Sequence, residues 1–385
     1  MRRRTIRVAG IVVALAAVVV PGGAGVASAA GSPPAWKVVA TPDVPADTYL
    51  RSVSCPDVSS CVAVGSVEHI PNRPKAIVER WNGSDWSLVS PPRSSGSRFL
   101  GVSCASATFC VAVGDTANPK TTPGTLIEMW DGVHWSVVPS PNPSQFGNRL
   151  TAVSCASATH CVAVGFLSDM HGYKFPISAI WDGKTWTFAG PPYQGFVDDN
   201  TLAGVACANE TRCEAVGVTV GAPEGDLAWQ LLVSRWNGRK WVLEPVGDSR
   251  AVAQVLASVS CATLRRCVAV GSTAHRTLFA TLGGTGWSLQ PGPDTGAARA
   301  FLSGVACPEA TRCAAVGAAG PNSRQTGALV EVAHGSSWSV VSGVPQAGST
   351  DALASVSCAT PSRCVAVGST RTAGVAAPLV LTGGI

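Results

Sequence analysis

The sequence predicts an all-β fold, a seven-bladed β-propeller of four-stranded blades. Three observations lead to it. A C-x5-C motif recurs seven times along the 385 residues. Each unit then carries apolar, β-branched runs, several of them around an Asn-Gly or Asp-Gly turn. The last unit stops one strand short, while the beginning of the chain holds a spare strand. About 50 residues and four short strands per repeat, with closure between the ends, describe a propeller.

The motif sets the period. Its first cysteines are Cys55, Cys104, Cys155, Cys207, Cys261, Cys307 and Cys358, and the second lies six positions on, at Cys61, Cys110, Cys161, Cys213, Cys267, Cys313 and Cys364. These are all 14 cysteines of the chain. Leu or Phe stands five positions before each first cysteine, Val stands two before it, and x-Ala-Val-Gly follows each second one. The copies are 46 to 54 residues apart, so seven units fill residues 31–385 as one domain. An even set with none left over reads as disulfides, one per blade, each joining the end of a first strand to the start of a second. Zinc would want closer spacing and recurring His, and a redox site would want C-x-x-C.

The rest of each unit supplies the other strands. In the first copy they are expected at about 50–55, 61–66, 75–81 and 84–90. Asn82-Gly83, Asp131-Gly132 and Asp182-Gly183 should turn the third strand into the fourth, both residues adopting the positive φ of a tight hairpin. Segments such as Ser90-Pro91-Pro92 end the fourth strand, because proline cannot stay in a ladder. Positions three and one before the first cysteine are Ser, Gly or Ala in every copy, as the crowded axis requires. Trp86, Trp135, Trp186, Trp241, Trp287, Trp338 and Trp36 open fourth strands, and Trp81, Trp130, Trp181 and Trp236 end third strands. Regular recurrence at one strand position marks blade-to-blade packing rather than sugar stacking; only Trp229 falls outside the pattern. The seventh copy ends at "PLVLTGGI" (378–385), and "PPAWKVVATPDVP" (33–45) should complete its blade.

Residues 1–30 are expected to be a signal peptide. Arg2, Arg3, Arg4 and Arg7 precede an apolar run, Val8 to Val20, and an Ala27-Ser28-Ala29 cleavage site. That run is shorter than the roughly 20 residues of a membrane span. Arg3-Arg4 leaves twin-arginine export open beside the general route. Without these four arginines, 24 basic residues face 23 acidic ones. A near-neutral surface without basic clusters argues against nucleic acid or anionic lipid as partner. The expected protein is extracellular, with cell-wall attachment left open, monomeric, without cofactor and without a transmembrane segment once the signal is cleaved.

The repeats "VSCASATFCVAVG" and "LIEMWDGVHWSVV" resemble secreted actinobacterial propellers of the BNR and YCF48-like type, across the whole of residues 31–385. The turn "DGKTW" (182–186) looks like a shortened Asp-box, S-x-D-x-G-x-T-W, without its Ser and with one residue fewer between Asp and Gly. The resemblance implies fold and export. It brings no active site, since in such families the Asp-box is a structural turn.

No catalytic signature stands out. The six His do not recur, and the three Tyr (Tyr49, Tyr173 and Tyr193) carry no sialidase motif. Arg212, Arg266, Arg312 and Arg363, each before a second cysteine, read as solvated loop residues. Variable connections are where a repeat scaffold is free to carry a site. The densest are 166–176 and 191–200, expected to be neighbours at the junction of blades 3 and 4. There Phe166, His171, Tyr173, Phe175, Tyr193 and Phe196 accompany Asp169, Asp198 and Asp199. Rings can stack on a sugar while carboxylates accept its hydroxyls. The expected function is a binding module for a glycan or cell-envelope component. The rivals are an extracellular glycoside hydrolase or lyase and a scaffold that binds an extracellular protein.

Overall fold

A computed structural model describes residues 35–69, 73–117, 122–190, 199–221, 228–247, 254–322 and 324–385. Within residues 33–385 the chain forms seven antiparallel four-stranded sheets, one per cysteine motif. In blade 1 the strands are Thr48–Asp57, Ser60–Val67, Lys75–Trp81 and Trp86–Val89. All seven expected disulfides are present, with Cα atoms about 4 Å apart across the first hairpin of each blade. A ring this small stabilises by roughly 2–3 kcal/mol in the loop-entropy model.

The repeated letters acquire their reasons at the axis. The first strand of every blade bulges between the Leu or Phe and the position three before the cysteine, for example between Leu50 and Ser52. The bulge drops a carbonyl onto the Gly of x-Ala-Val-Gly. A Cβ on Gly65 would lie 1.9 Å from the Tyr49 oxygen, and the other six glycines meet the same obstacle at 1.9–2.0 Å. No other residue fits there.

Small residues one and three before the cysteine hold neighbouring blades together. The Ser54 hydroxyl accepts the N–H of Cys104 (2.9 Å), Ser103 that of Cys155 (3.0 Å), Ser154 that of Cys207 (2.9 Å), Ser260 that of Cys307 (3.0 Å) and Ser357 that of Cys55 (2.9 Å). Ser52, Ser258 and Ser355 do the same for Val102, Val305 and Val53. "SVSC" is therefore the sequence of a blade that accepts twice from the next one. Blades 4 and 6 carry Ala206 and Ala306 instead and forgo the bond. At the third position Gly101, Gly204 and Gly304 allow closer approach still, with a Cβ there lying 2.8–2.9 Å from a Cα of the next blade.

On the opposite face from the variable loops, the Asp-Gly and Asn-Gly turns differ from expectation. Only the glycine takes positive φ, +101° at Gly83 and Gly132 and +91° at Gly183. The preceding residue works through its side chain. Asp131 Oδ1 accepts the N–H of Val133 (2.8 Å) and His134 (2.7 Å), and Asn82, Asp182 and Asn237 cap their turns alike. The loop thus spans four residues, and the flanking tryptophans pair across it, Trp81 with Trp86 at 5.8 Å between ring centres. Blades 2 to 4 repeat this pair. The fourth-strand tryptophans are buried except Trp338. In blades 5, 6 and 7 the third-strand partner is instead Leu282, Ala333 or Gly383.

The N-terminal strand closes the ring as expected. Lys37–Val38 pairs antiparallel with Val375–Gly383, and the Trp36 indole lies over Gly383. Asp47 then bridges the seam, its N–H donating to the Ala376 carbonyl (2.8 Å). Of the four arginines expected to be solvated, Arg266 and Arg363 are exposed, and two of the four reach across junctions. Arg363 of blade 7 lies 5.9 Å from the Trp81 ring of blade 1, and Arg312 of blade 6 donates to the carbonyl of Ile385, which is buried under blade 7. A third, Arg212, pairs with Glu214 at 3.2 Å. The tertiary fold supplies the partners of Arg363 and Arg312, which lie far away in sequence, whereas Glu214 stands two residues from Arg212. A chain beginning at residue 46 should leave the edge of Val375–Gly383 unpaired. We expect a lower melting temperature and concentration-dependent assembly by sedimentation; a monomer with unchanged melting would show that the strand is dispensable.

Three carboxyls sit in the blade packing, opposite the Ala of x-Ala-Val-Gly: Glu79, Glu128 and Glu331, all fully buried. Other blades use Ala179, Ser234, Ala280 or Leu381 at this place. Burial raises each of the three to a pKa of about 7. Glu128 alone gains a backbone donor, the Arg93 N–H at 3.1 Å. Between roughly pH 4.5, where an unfolded glutamate titrates, and pH 7 the folded chain holds protons that the unfolded chain has lost. Stability therefore falls as pH rises through that window. The melting temperature should be higher at pH 5 than at pH 8, and Glu79→Gln should raise the pH 8 value while flattening the profile. A profile that rises from pH 5 to pH 8 would contradict buried, protonated carboxyls.

Candidate functional site

Because all neighbouring strands are antiparallel, the second-to-third and fourth-to-first connections share one face, and the disulfide hairpins share the other. The predicted cluster stands on the former. Phe166 ends the second strand of blade 3, His160–Ser168, and Phe175 begins the third, Lys174–Trp181. Asp169, His171 and Tyr173 form the turn between them, and Asp199 leads into blade 4. Tyr193, Phe196 and Asp198 lie outside the described residues. The two loops do meet where both are described: the Asn200 N–H donates to the Lys174 carbonyl (3.0 Å), and the Lys174 ammonium pairs with Asp199 at 3.2 Å.

Within this cluster the side chains divide by task. Asp169 Oδ1 accepts the N–H groups of His171 (2.8 Å) and Tyr173 (3.0 Å), so the carboxylate builds its own turn. Burial pushes its pKa up, but those donors and the His171 ring outweigh it and hold the group below the usual value. The Phe166 ring carries cations of the protein itself, the Arg149 guanidinium and the Lys174 ammonium each 5.6 Å from its centre. Arg149 is fastened in turn to the fully buried Asp115, at 2.6 Å, and Arg98 grips the same carboxylate at 3.0 Å. Phe175 is half-buried in the strand pairing.

What faces solvent is the turn itself. Met170, His171 and Tyr173 are exposed, and the His171 and Tyr173 rings lie 5.9 Å apart. Phe146, 47% exposed, lies on the connection from blade 2 to blade 3. The Gly147 carbonyl accepts the Ser168 N–H (2.8 Å), which sets that loop against the same turn. Sequence reasoning passed over Phe146 and Arg149. The first was legible as a lone ring in a Ser- and Pro-rich loop; the second gains its place only from the strand register that brings it opposite Phe166.

The central channel is lined mainly by Ser, Thr, Gly, Ala and Val of the first strands. Arg51 stands at its edge, paired with Glu68 at 3.2 Å and set over the Tyr49 ring, whose hydroxyl accepts from Arg371. Among the described residues no group of three or more His, Cys, Asp and Glu could hold a metal ion, and no helix is long and apolar enough to cross a membrane.

No family model matches the chain, and no curated protein matches it. Similar solved structures include "YCF48 bound to D1 peptide", at 13% identity and a TM-score of 0.54 over 92% of this chain and 100% of that one. Sqt1 of Chaetomium thermophilum is similar at 10% identity and a TM-score of 0.51, over 86% of each chain. The fucose-specific lectin from Aleuria aurantia has 11% identity and a TM-score of 0.48, over 77% of this chain and 95% of that one. At these identities the first two likenesses are of fold: the chain is a β-propeller.

Proposed function

We propose that this protein is an exported binding module that takes a glycan or other cell-envelope component on its variable-loop face. The observation that carries this reading is the exposed His171–Tyr173 ring pair on a turn that Asp169 braces from within. A braced turn presents its rings with little entropy left to lose on binding. Phe146 and Met170 extend the apolar surface, and the fixed cations Arg149 and Lys174 border it. Rings next to charged donors suit a sugar that carries a carboxylate. Seven disulfides suit an oxidising, extracellular setting, and a cleaved signal over residues 1–30 would deliver the chain there. For a hydrolase or lyase the described residues give less support, since Asp169 and Asp199 are each engaged already. A peptide is the second reading, favoured by the fold's likeness to a propeller solved with a peptide bound.

Replacing His171 and Tyr173 together by Ala tests the site. Titration of uronic-acid oligosaccharides and wall fragments should show binding to the native protein and a loss of about tenfold or more in the double variant, with melting temperature unchanged. Binding that survives the double replacement would remove these rings from the site.

A further inference from the structure

The disulfide face holds a pocket that the repeats themselves explain. Between blades 5 and 6 lies a cavity of about 170 Å³, bounded by Arg266, Val268, Thr281, Ala310, Ala333 and Trp338. The same place between blades 7 and 1 is bounded by Arg363, Val365, Thr382, Val58, Trp81 and Trp86, and encloses about 10 Å³. Each residue of the second set occupies the repeat position of its counterpart in the first. Two substitutions separate them: Trp81 becomes Ala333, and Val58 becomes Ala310. The larger loss is an indole ring.

The wall has kept the form that receives an indole. Arg363 lies over the Trp81 ring at 5.9 Å, and Arg266 stands at the same position with no ring beneath it. In blades 2 and 3 the third-strand indole N–H donates to the carbonyl three residues after the first cysteine, Trp130 to Ala107 (3.3 Å) and Trp181 to Ala158 (3.1 Å). In blade 6 that carbonyl belongs to Ala310, and Ala333 has no donor to offer it. Trp338, lacking a tryptophan partner, stacks on Phe279 of blade 5 at 4.0 Å, is partly exposed, and forms one wall of the cavity. Val268 is likewise partly exposed, where Val62, Val111, Val162 and Val365 are buried.

The neighbouring junctions fill the gap differently. Between blades 4 and 5 Leu282 takes the place. Between blades 6 and 7, where Gly383 faces Trp36, Ile385 packs into the junction. Its N–H donates to the Pro361 carbonyl (2.8 Å), the counterpart of Ala310, and its own carbonyl accepts from Arg312, the counterpart of Arg266. This fold therefore fills such a vacancy with an apolar side chain, and between blades 6 and 7 the arginine caps it. At the junction of blades 5 and 6 no described residue does so.

We propose that this pocket binds an indole ring, supplied either by a tryptophan side chain of a partner peptide or by a free indole compound. The ring would enter where Trp81 sits in the blade 7 to blade 1 junction, beneath Arg266, with its N–H on the Ala310 carbonyl. The site lies on the face opposite His171 and Tyr173 and does not depend on what binds there.

The test is calorimetric titration of the disulfide-intact protein with N-acetyl-tryptophanamide, indole and a short peptide with one internal Trp. One site per chain is expected, with the peptide tighter than indole if the source is a protein and equal to it if the source is a free compound. Ala333→Trp restores the ring of blades 1 to 4. It should abolish binding and raise the melting temperature, because it fills the cavity. Ala333→Leu copies blade 5 and should weaken binding at least tenfold should the tryptophan variant fail to fold. Arg266→Ala should weaken it several-fold, through loss of the cation over the ring. No heat with any of the three probes up to their solubility overturns the proposal, as does equal affinity in the Ala333 variants. N-acetyl-phenylalaninamide binding as tightly as the tryptophan analogue overturns the indole assignment.

Discussion

The approach of the seven first strands around one axis is the constraint on which the rest depends. At that radius blades meet backbone to backbone, with a Cβ at Gly101, Gly204 or Gly304 already too close to the next blade's Cα. Only Gly, Ala or Ser fits, and Ser adds a hydroxyl that accepts the neighbour's N–H, a bond contributing about 1 kcal/mol. The bulge beside it turns a carbonyl inward, and the Gly of x-Ala-Val-Gly makes room for it. Composition at the axis is thus set by steric exclusion first and hydrogen bonding second. Blades 4 and 6, with Ala206 and Ala306, show that the hydroxyl is optional while small size is not.

Further from the axis, packing is apolar and each junction is solved locally. Leu50, Val53, Ala63 and Ile77 of blade 1 meet Val365, Val367 and Val380 of blade 7 in one continuous cluster. The wider rim calls for larger side chains, and the tryptophan pairs supply them in blades 1 to 4. Three junctions depart from that pattern, and the consequences differ because the local fill differs: Leu282, Ile385, or a cavity beside Ala333. The buried carboxyls Glu79, Glu128 and Glu331 show the same tolerance in another form. A polar group is accepted there because burial raises its pKa to about 7, so that below that pH it is the neutral acid.

The two faces carry different chemistry for a topological reason. Hairpins closed by a disulfide and turns capped by Asn or Asp leave little freedom on one face, so variation there appears as gaps in packing. Connections on the other face are longer and unconstrained in length, so variation appears as protruding side chains such as Phe146, Met170 and Tyr173. Ion pairs organise that second face, where Asp115 holds Arg98 and Arg149 and thereby positions the cation over Phe166.

By itself the sequence determined the blade count, the strands of each blade, the disulfide pairing and the closing strand. These follow from spacing within one repeat, because short-range geometry recurs identically seven times. Tertiary structure decided whatever lies between repeats. Asp169 builds its own turn, because its Oδ1 accepts from backbone donors two and four residues on. Arg312 and Arg363 proved to be fasteners, because their partners, Ile385 and Trp81, come from the neighbouring blade. The letter Ala333 reads in the sequence as an unremarkable small residue. Only the juxtaposition of two blades shows that no described residue fills the space beside it, since a cavity is a property of both walls and is written in neither.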